Sequence, residues 1–141
     1  MNIRPAKLSD YDELMKLYSL LAKKDRFSQK NNDSFNKVIN NPDCFIFVAV
    51  EKNKLIGFAA ISIRFVVRYP QPISQLEELF VLEDYRKRGI GKRFIEKLEY
   101  VSKKRNCCNI YIESRIDLTP AHKFYSNLGY EKNGYYFKKI L

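Results

Sequence analysis

The segment that most constrains the fold is residues 76–92, LEELFVLEDYRKRGIGK. An apolar stretch typical of a strand passes through a polar turn to Gly89 and Gly91, and an amphipathic helix is predicted over residues 89–104. One face of this helix is apolar and carries Ile90, Phe94, Ile95, Leu98 and Val101. A strand that turns through two glycines into a helix indicates an α/β domain.

The start of this helix has the chemistry of an anion site. The first N–H groups of a helix have no partner within it, and the helix dipole leaves positive charge there. Gly89 and Gly91 carry no side chain, so a phosphate can approach those amides closely. The same short stretch is strongly basic, with Arg86, Lys87, Arg88, Lys92 and Arg93. These residues predict a pyrophosphate or similar anion site.

Two other phosphate motifs are excluded. A Walker loop requires Ser or Thr directly after Gly91 and Lys92, and Arg93 stands there. A dinucleotide-binding fingerprint requires a third small residue at the position of Phe94, and it follows a first strand near the N-terminus. The glycine loop therefore belongs to another class of phosphate site.

The rest of the pattern predicts one domain over residues 1–141, a common domain size. A polar loop is expected at 23–32, and Asn133-Gly134 between aromatic flanks predicts a final hairpin. Thr119 is the expected N-cap of the last helix. The predicted order is β-α-α-β-β-β-α-β-α-β-β, with strands at 3–5, 44–50, 55–67, 73–82 and 109–113 before the hairpin, and helices after residue 10, at 34–40, at 89–104 and from 119.

The composition limits the cellular compartment and the classes of partner that we expect. A formal charge of +10 attracts anions, which is compatible with nucleic acid, an anionic membrane or a polyphosphate cofactor. No run approaches the roughly 18 apolar residues of a membrane span, so no membrane association is expected. Cys44, Cys107 and Cys108 form neither a disulfide framework nor a metal-ligand spacing, so we expect a reducing cytoplasm and no metal.

Two motifs at matching spacing resemble those of the Gcn5-related N-acetyltransferase (GNAT) superfamily. Arg86-x-x-Gly89-x-Gly91, after a strand that ends Leu-Phe-Val, is similar to its acetyl-CoA signature. Residues 121–130, AHKFYSNLGY, resemble its second motif, Ala-x-x-Phe-Tyr-x-x-x-Gly-Phe/Tyr, and residues 3–10 are a weaker third similarity. The resemblance covers essentially the whole chain. It implies a GNAT-like acyl-CoA N-acyltransferase fold, a mixed and mostly antiparallel central sheet with flanking helices.

The resemblance also implies a cosubstrate and its binding residues. An N-acetyltransferase of this kind binds acetyl-CoA, whose pantetheine arm would pair with the backbone of strand residues 79–81 like an added strand. The amides of residues 87–92 would hold the pyrophosphate. Leu118 stands where family members often carry Asn, so a polar contact to the cofactor arm is either missing or supplied by Thr119 or Asn127. The predicted cofactor-binding residues are Leu79, Phe80, Val81, Arg86, Lys87, Arg88, Gly89, Ile90, Gly91, Lys92, Ala121 and Phe124.

The catalytic candidates are one tyrosine and three glutamates. Tyr125 matches the tyrosine proposed to protonate the departing thiolate, and a phenol is a proton donor near neutral pH. The acceptor amine must lose a proton, for which Glu77, Glu78 and Glu113 are candidates. Residues 76–81 resemble the Leu-Glu-Asp-Phe/Leu-x-Val run of polyamine and diamine acetyltransferases, which favours Glu77. Without a bulge, only one of the two adjacent acids can face the acetyl group.

The acceptor and two alternative functions stay open at this point. A polyamine-like, aminoglycoside-like or peptide amine is compatible with the sequence, and so is a homodimer. A basic nucleic-acid-binding domain is disfavoured because the basic residues are scattered along the chain. An acetyl-CoA sensor without turnover is disfavoured because Tyr125 and the glutamates are present.

Overall fold

The computed structural model describes residues 1–23 and 29–141. They form two compact units, Met1–Tyr111 and Ile112–Leu141. Short 3₁₀ turns, Leu8–Asp10 and Glu83–Tyr85, precede α1 and α3. In chain order the elements are β1 (Asn2–Pro5), α1 (Tyr11–Ala22), α2 (Gln29–Ile39), β2 (Cys44–Glu51), β3 (Lys54–Arg64), β4 (Ile73–Val81), α3 (Ile90–Lys104), β5 (Asn109–Ile112) and α4 (Thr119–Asn127).

The strands form one five-stranded sheet in the order β1-β2-β3-β4-β5. Neighbours from β1 to β4 pair antiparallel. The turn between β2 and β3 is tight because Lys52 and Asn53 both adopt positive φ, +50° and +60°. The predicted mixed α/β fold, with a mostly antiparallel central sheet and flanking helices, is confirmed.

One core cluster lies between the sheet and helices α1 and α2. Leu14 and Leu17 of α1 and Phe35 of α2 are buried against Val48 and Phe58 of the sheet. Each such side chain stabilises the fold by about 1.5–3 kcal/mol through removal from water. The predicted apolar face of α3 is also buried, with Ile90, Phe94, Ile95 and Leu98.

Strand β4 has an irregularity that positions the site. Ala60 of β3 is opposite Glu78, but the next residue, Ile61, is opposite Leu76. Glu77 is therefore an extra residue on β4, a β-bulge. Gly57 allows the other end of β4 to come close, because a Cβ there would lie only 2.7 Å from the carbonyl oxygen of Phe80.

Three of the predicted boundaries differ from the structure. Strand β3 ends at Arg64 rather than at residue 67, where the chain leaves the sheet. Helix α2 begins at Gln29, so the predicted loop over 23–32 is wrong for its last four residues, and 24–28 lie outside the described residues. Thr119 is the first residue of α4, and Leu118 occupies the N-cap position. Local polarity misplaced these boundaries because tertiary packing sets where an element begins or ends.

The predicted C-terminal hairpin is wrong. Residues 130–141 contain neither helix nor strand. A two-residue hairpin turn with Asn-Gly requires positive φ at both residues, and neither Asn133 nor Gly134 has it. The flanking aromatic side chains are exposed, 79% for Tyr135 and 94% for Phe137, so no packing compensates for the missing turn.

Candidate active site

The bulge in β4 brings two carboxylates to one place. Glu77 accepts a hydrogen bond from the hydroxyl of Ser62 on β3. Glu78 Oε2 accepts one from the hydroxyl of Tyr18 on α1 at 3.2 Å. Ala60, which is opposite Glu78, packs in the core beneath α1 and α2. Ser62 lies two residues further along β3, so its side chain is on the same face of the sheet. The bulge is thus the exception to strict alternation, and it lets both acids lie on one face of the sheet.

Glu78 is half-buried and lacks a positive partner among the described residues. Burial raises the pKa of its carboxyl above the ordinary value of 4.5, and nearby Glu77 raises that pKa further. The hydrogen bond from Tyr18 acts in the opposite direction because it stabilises the carboxylate. Burial also raises the pKa of Tyr18 well above 10, so this phenol stays protonated and donates. A carboxylate with a raised pKa is better matched to accepting protons near neutral pH.

At the C-terminal end of β4, one edge of the strand lies beyond the end of β5. Residues 79–81 pair with β3 on the other edge, where Phe80 is opposite Phe58. β5 begins beside the N-terminal end of β4, since the N–H of Cys108 donates to the carbonyl of Pro72 at 2.9 Å. With four residues against nine in β4, β5 spans roughly 13 Å and ends well short of Val81. This edge of residues 79–81 can pair with an extended ligand.

The glycine loop leads from β4 into α3. Gly89 is the N-cap of α3 and has φ of +77°, a conformation that glycine adopts without strain. Lys87, two residues earlier, also has positive φ, +60°. Ile90, Gly91 and Lys92 form the first turn of the helix, whose N–H groups have no partner inside it. The predicted anion-binding amides are thus grouped at one helix start.

The basic side chains around this loop are mostly engaged within the protein. Arg86 donates from Nε to the carbonyl of Val81 at 2.9 Å, and its guanidinium lies 5.7 Å from the ring centre of Phe80. Arg88 forms an ion pair with Glu51 at 2.8 Å. Lys92 lies 3.9 Å from Glu96 on the exposed face of α3. These contacts position the loop, so the backbone amides are the groups best placed to bind a phosphate directly.

The remaining predicted residues belong to the second unit. Ala121, Phe124 and Tyr125 lie on α4, and Glu113 follows β5. The ring of Tyr125 packs 5.3 Å from that of Phe124 and 6.2 Å from that of Tyr130. Burial raises the pKa of Tyr125 to about 12. A phenol of this kind is fully protonated at neutral pH and can act as a donor.

Sequence reasoning missed Tyr18 and Ser62 as members of this site. The ring of Tyr18 packs against the core, as the apolar periodicity of α1 implies, but this periodicity does not account for the hydroxyl. A buried tyrosine hydroxyl nearly always has a hydrogen-bond partner, and that was the available signal. Ser62 offers no such signal because serine is common in exposed strands.

Among the described residues, no group of three His, Cys, Asp or Glu is arranged to hold a metal ion, and no helix is long and apolar enough to cross a bilayer.

Comparison with known proteins identifies the family. The sequence matches the Acetyltransferase (GNAT) family over residues 11–130. It is 24% identical over 139 residues to an aminoalkylphosphonate N-acetyltransferase of Salmonella typhimurium, covering 99% of this chain and 90% of the relative. It is 26% identical over 144 residues to glucosamine 6-phosphate N-acetyltransferase 1 of Dictyostelium discoideum, covering 95% of this chain and 87% of the relative.

A solved structure with the same fold carries a ligand. The aminoglycoside N-acetyltransferase AAC(6')-Iy in complex with CoA has a TM-score of 0.80 and 23% identity, covering 99% of this chain and 100% of that one. Enzymes of the GNAT family use acetyl-CoA. With a match over most of its length, this chain belongs to the acetyltransferase (GNAT) family and is an acyl-CoA-dependent N-acetyltransferase.

Proposed function

We propose that the protein transfers the acetyl group of acetyl-CoA directly to a primary amine while both substrates are bound. The amine nitrogen attacks the thioester carbonyl, a C–N bond forms, and the C–S bond breaks as the tetrahedral intermediate collapses. The amine loses a proton and the departing thiolate gains one. The observation that carries the proposal is the pair Glu77 and Glu78, which the bulge brings together directly before the open edge of residues 79–81.

In this proposal Glu78 accepts the proton of the amine, directly or through one water. Its raised pKa supports that role, because a more basic carboxylate takes the proton more readily near neutral pH. Glu77 is exposed and lies beside it, so it suits electrostatic binding of the incoming ammonium form. Sequence similarity favoured Glu77 as the base, and burial is the reason to exchange the two roles. Glu113, at the start of the second unit, is not needed.

The cofactor would bind along β4 and the glycine loop. Its pantetheine arm would pair with the open edge of residues 79–81. Its pyrophosphate would accept hydrogen bonds from the amides at the start of α3, where positive φ at Lys87 and Gly89 turns the loop toward the helix. Tyr125 would protonate the thiolate, which its raised pKa supports because the phenol keeps its proton until the sulfur becomes basic.

For the acceptor, we propose a small amine that also carries a phosphate or phosphonate. Two relatives are named for such acceptors, an aminoalkylphosphonate and glucosamine 6-phosphate. The net charge of +10 favours encounter with an anionic molecule over a polycation. Arg64 lies near the acid pair: its Nη1 donates to Gln75 at 2.6 Å, and Gln75 is opposite Ser62, the donor to Glu77. An ammonium could contact Glu77 while an oxyanion reaches Arg64.

The test is acetyl-CoA-dependent thiol release over an amine panel. Glucosamine and glucosamine 6-phosphate form a matched pair that share the amine and differ only in the phosphate. We expect kcat/KM to be higher for the phosphorylated member, with a difference that shrinks at high salt. An aminoglycoside and a peptide amine complete the panel. Preference for the aminoglycoside would refute the acceptor class, and cofactor binding without turnover on any amine would refute catalysis.

A further inference from the structure

We propose that Tyr18 of α1 is a positioning residue for Glu78, holding its carboxylate by one hydrogen bond in the orientation that accepts the amine proton. The inference rests on the proposed role of Glu78. Tyr18 donates to Glu78 Oε2 at 3.2 Å, across 60 positions of the chain. One oxygen of the carboxylate is thereby engaged, and in this proposal the other oxygen takes the proton.

Packing holds the Tyr18 ring in place. Its ring centre lies 4.2 Å from that of Phe58, which is fully buried on β3. Phe58 in turn lies 6.1 Å from Phe80 on β4. Packing in the core sets the orientation of the Tyr18 ring, so its hydroxyl is already placed to donate to Glu78. Forming this hydrogen bond therefore costs little further side-chain entropy.

Few other groups act on Glu78 from the elements packed around it. On β4 the titratable neighbour is Glu77, and on α1 it is the neutral phenol of Tyr18. The residue opposite on β3 is Ala60, which cannot titrate. Tyr18 is the one of these that stabilises the ionised form, because Glu77 and burial both favour the protonated form. Loss of the Tyr18 hydroxyl should therefore raise the pH at which Glu78 becomes a usable base.

The variant Tyr18→Phe isolates this contact because it keeps the ring against Phe58. The matched control is Tyr11→Phe, the same substitution on the same helix, where the ring packs against Phe35 at 5.3 Å. We expect the acid limb of kcat/KM in Tyr18→Phe to move to higher pH by about one pH unit, which is about tenfold in rate on that limb. A residual loss should persist at alkaline pH, because the ionised carboxylate is then no longer held in one orientation, and Tyr11→Phe should keep the wild-type profile.

A second measurement separates this inference from the proposed function. Carbon-13 NMR of labelled glutamate carboxyls follows the titration of Glu78 directly, with Glu78→Gln to assign the resonance. Tyr18→Phe should raise that titration midpoint by about one pH unit even if no acceptor is found. An unchanged midpoint would overturn the contact, whatever the activity. A moved midpoint with an unmoved acid limb on a confirmed amine would overturn the positioning role.

Discussion

Asp10 and Glu78 are two sheltered carboxylates of the first unit that meet opposite environments. Asp10 accepts two hydrogen bonds from the guanidinium of Arg4, at 2.7 and 2.9 Å, and one from the amide of Lys7 at 2.7 Å. Its pKa is lowered, chiefly by the bonds from Arg4. Glu78 has one neutral donor at 3.2 Å, and its pKa is raised, chiefly by burial.

In the proposed mechanism, this difference separates a carboxylate that stabilises the fold, Asp10, from one that takes part in the reaction, Glu78. Asp10 gains stability from its charge, because Arg4 and the Lys7 amide more than offset the cost of burial at the corner between β1 and α1. Glu78 costs stability when ionised, and natural proteins keep such groups mainly where a function needs them. Arg4 and Asp10, which both lie in the weaker third similarity at residues 3–10, form an ion pair at the corner between β1 and α1.

The largest expected effect comes from neutralising Glu78. Glu78→Gln should lower kcat by about 10²–10⁴-fold at neutral pH, because the amide cannot accept the amine proton. Asp10→Asn is the matched control, the same carboxylate-to-amide change at a carboxylate outside the proposed site. It should leave kcat per folded molecule near that of the wild type. Equal losses of kcat in the two variants would remove the distinction between the sites.

Tyr125→Phe extends the comparison to the proton donor. The ring packing against Phe124 and Tyr130 survives, and only the hydroxyl is lost. We expect kcat to fall by about 10²-fold or more, while acetyl-CoA affinity from isothermal titration stays nearly constant. Wild-type turnover would assign Tyr125 to packing alone.

Asp10→Asn should have the larger effect on folding. Hydrogen bonds to charged groups contribute about 1.5–3 kcal/mol, and this substitution weakens a set of three, so the free energy of unfolding should fall by about 2 kcal/mol. Urea unfolding of the wild type and of both amide variants measures this directly. Glu78→Gln should be neutral or stabilising at neutral pH. A greater loss of stability from Glu78→Gln would reverse the account of the two sites.

The smallest expected effect is the pH dependence of those stability differences. Asp10 has a lowered pKa in the folded state, so its contribution is complete above 3.8 and is lost as the pH falls. Glu78 has a raised pKa, so the folded state binds the extra proton and stability falls as the pH rises from 4.5 through the folded-state pKa. Subtracting each variant's curve from that of the wild type should give slopes of opposite sign. Slopes of the same sign would contradict the stated causes.

The sequence predicted most of the fold and some residues of the candidate site, for identifiable reasons. The uninterrupted apolar run at β2 and the apolar stripe of α3 are strong local patterns, and both elements are where we expected them. Glu77 and Glu78 lie on β4 as predicted, but no residue of that strand marks the bulge, which depends on pairing with β3. The hydroxyl of Tyr18 reaches a residue 60 positions away, a distance that no local pattern encodes. Asn133-Gly134 failed because a turn signal does not form a hairpin without packing on its flanks.

The central claim, that Glu78 takes the proton of the acceptor amine, is tested most directly by the pH profile of kcat/KM. On a confirmed amine, the wild type should show an acid limb with a pKa above the ordinary glutamate value of 4.5. In Glu78→Gln that limb should disappear, leaving a low rate that rises only as the free amine deprotonates, while Glu77→Gln should keep the limb and raise KM. A wild-type limb that persists in Glu78→Gln would contradict the claim.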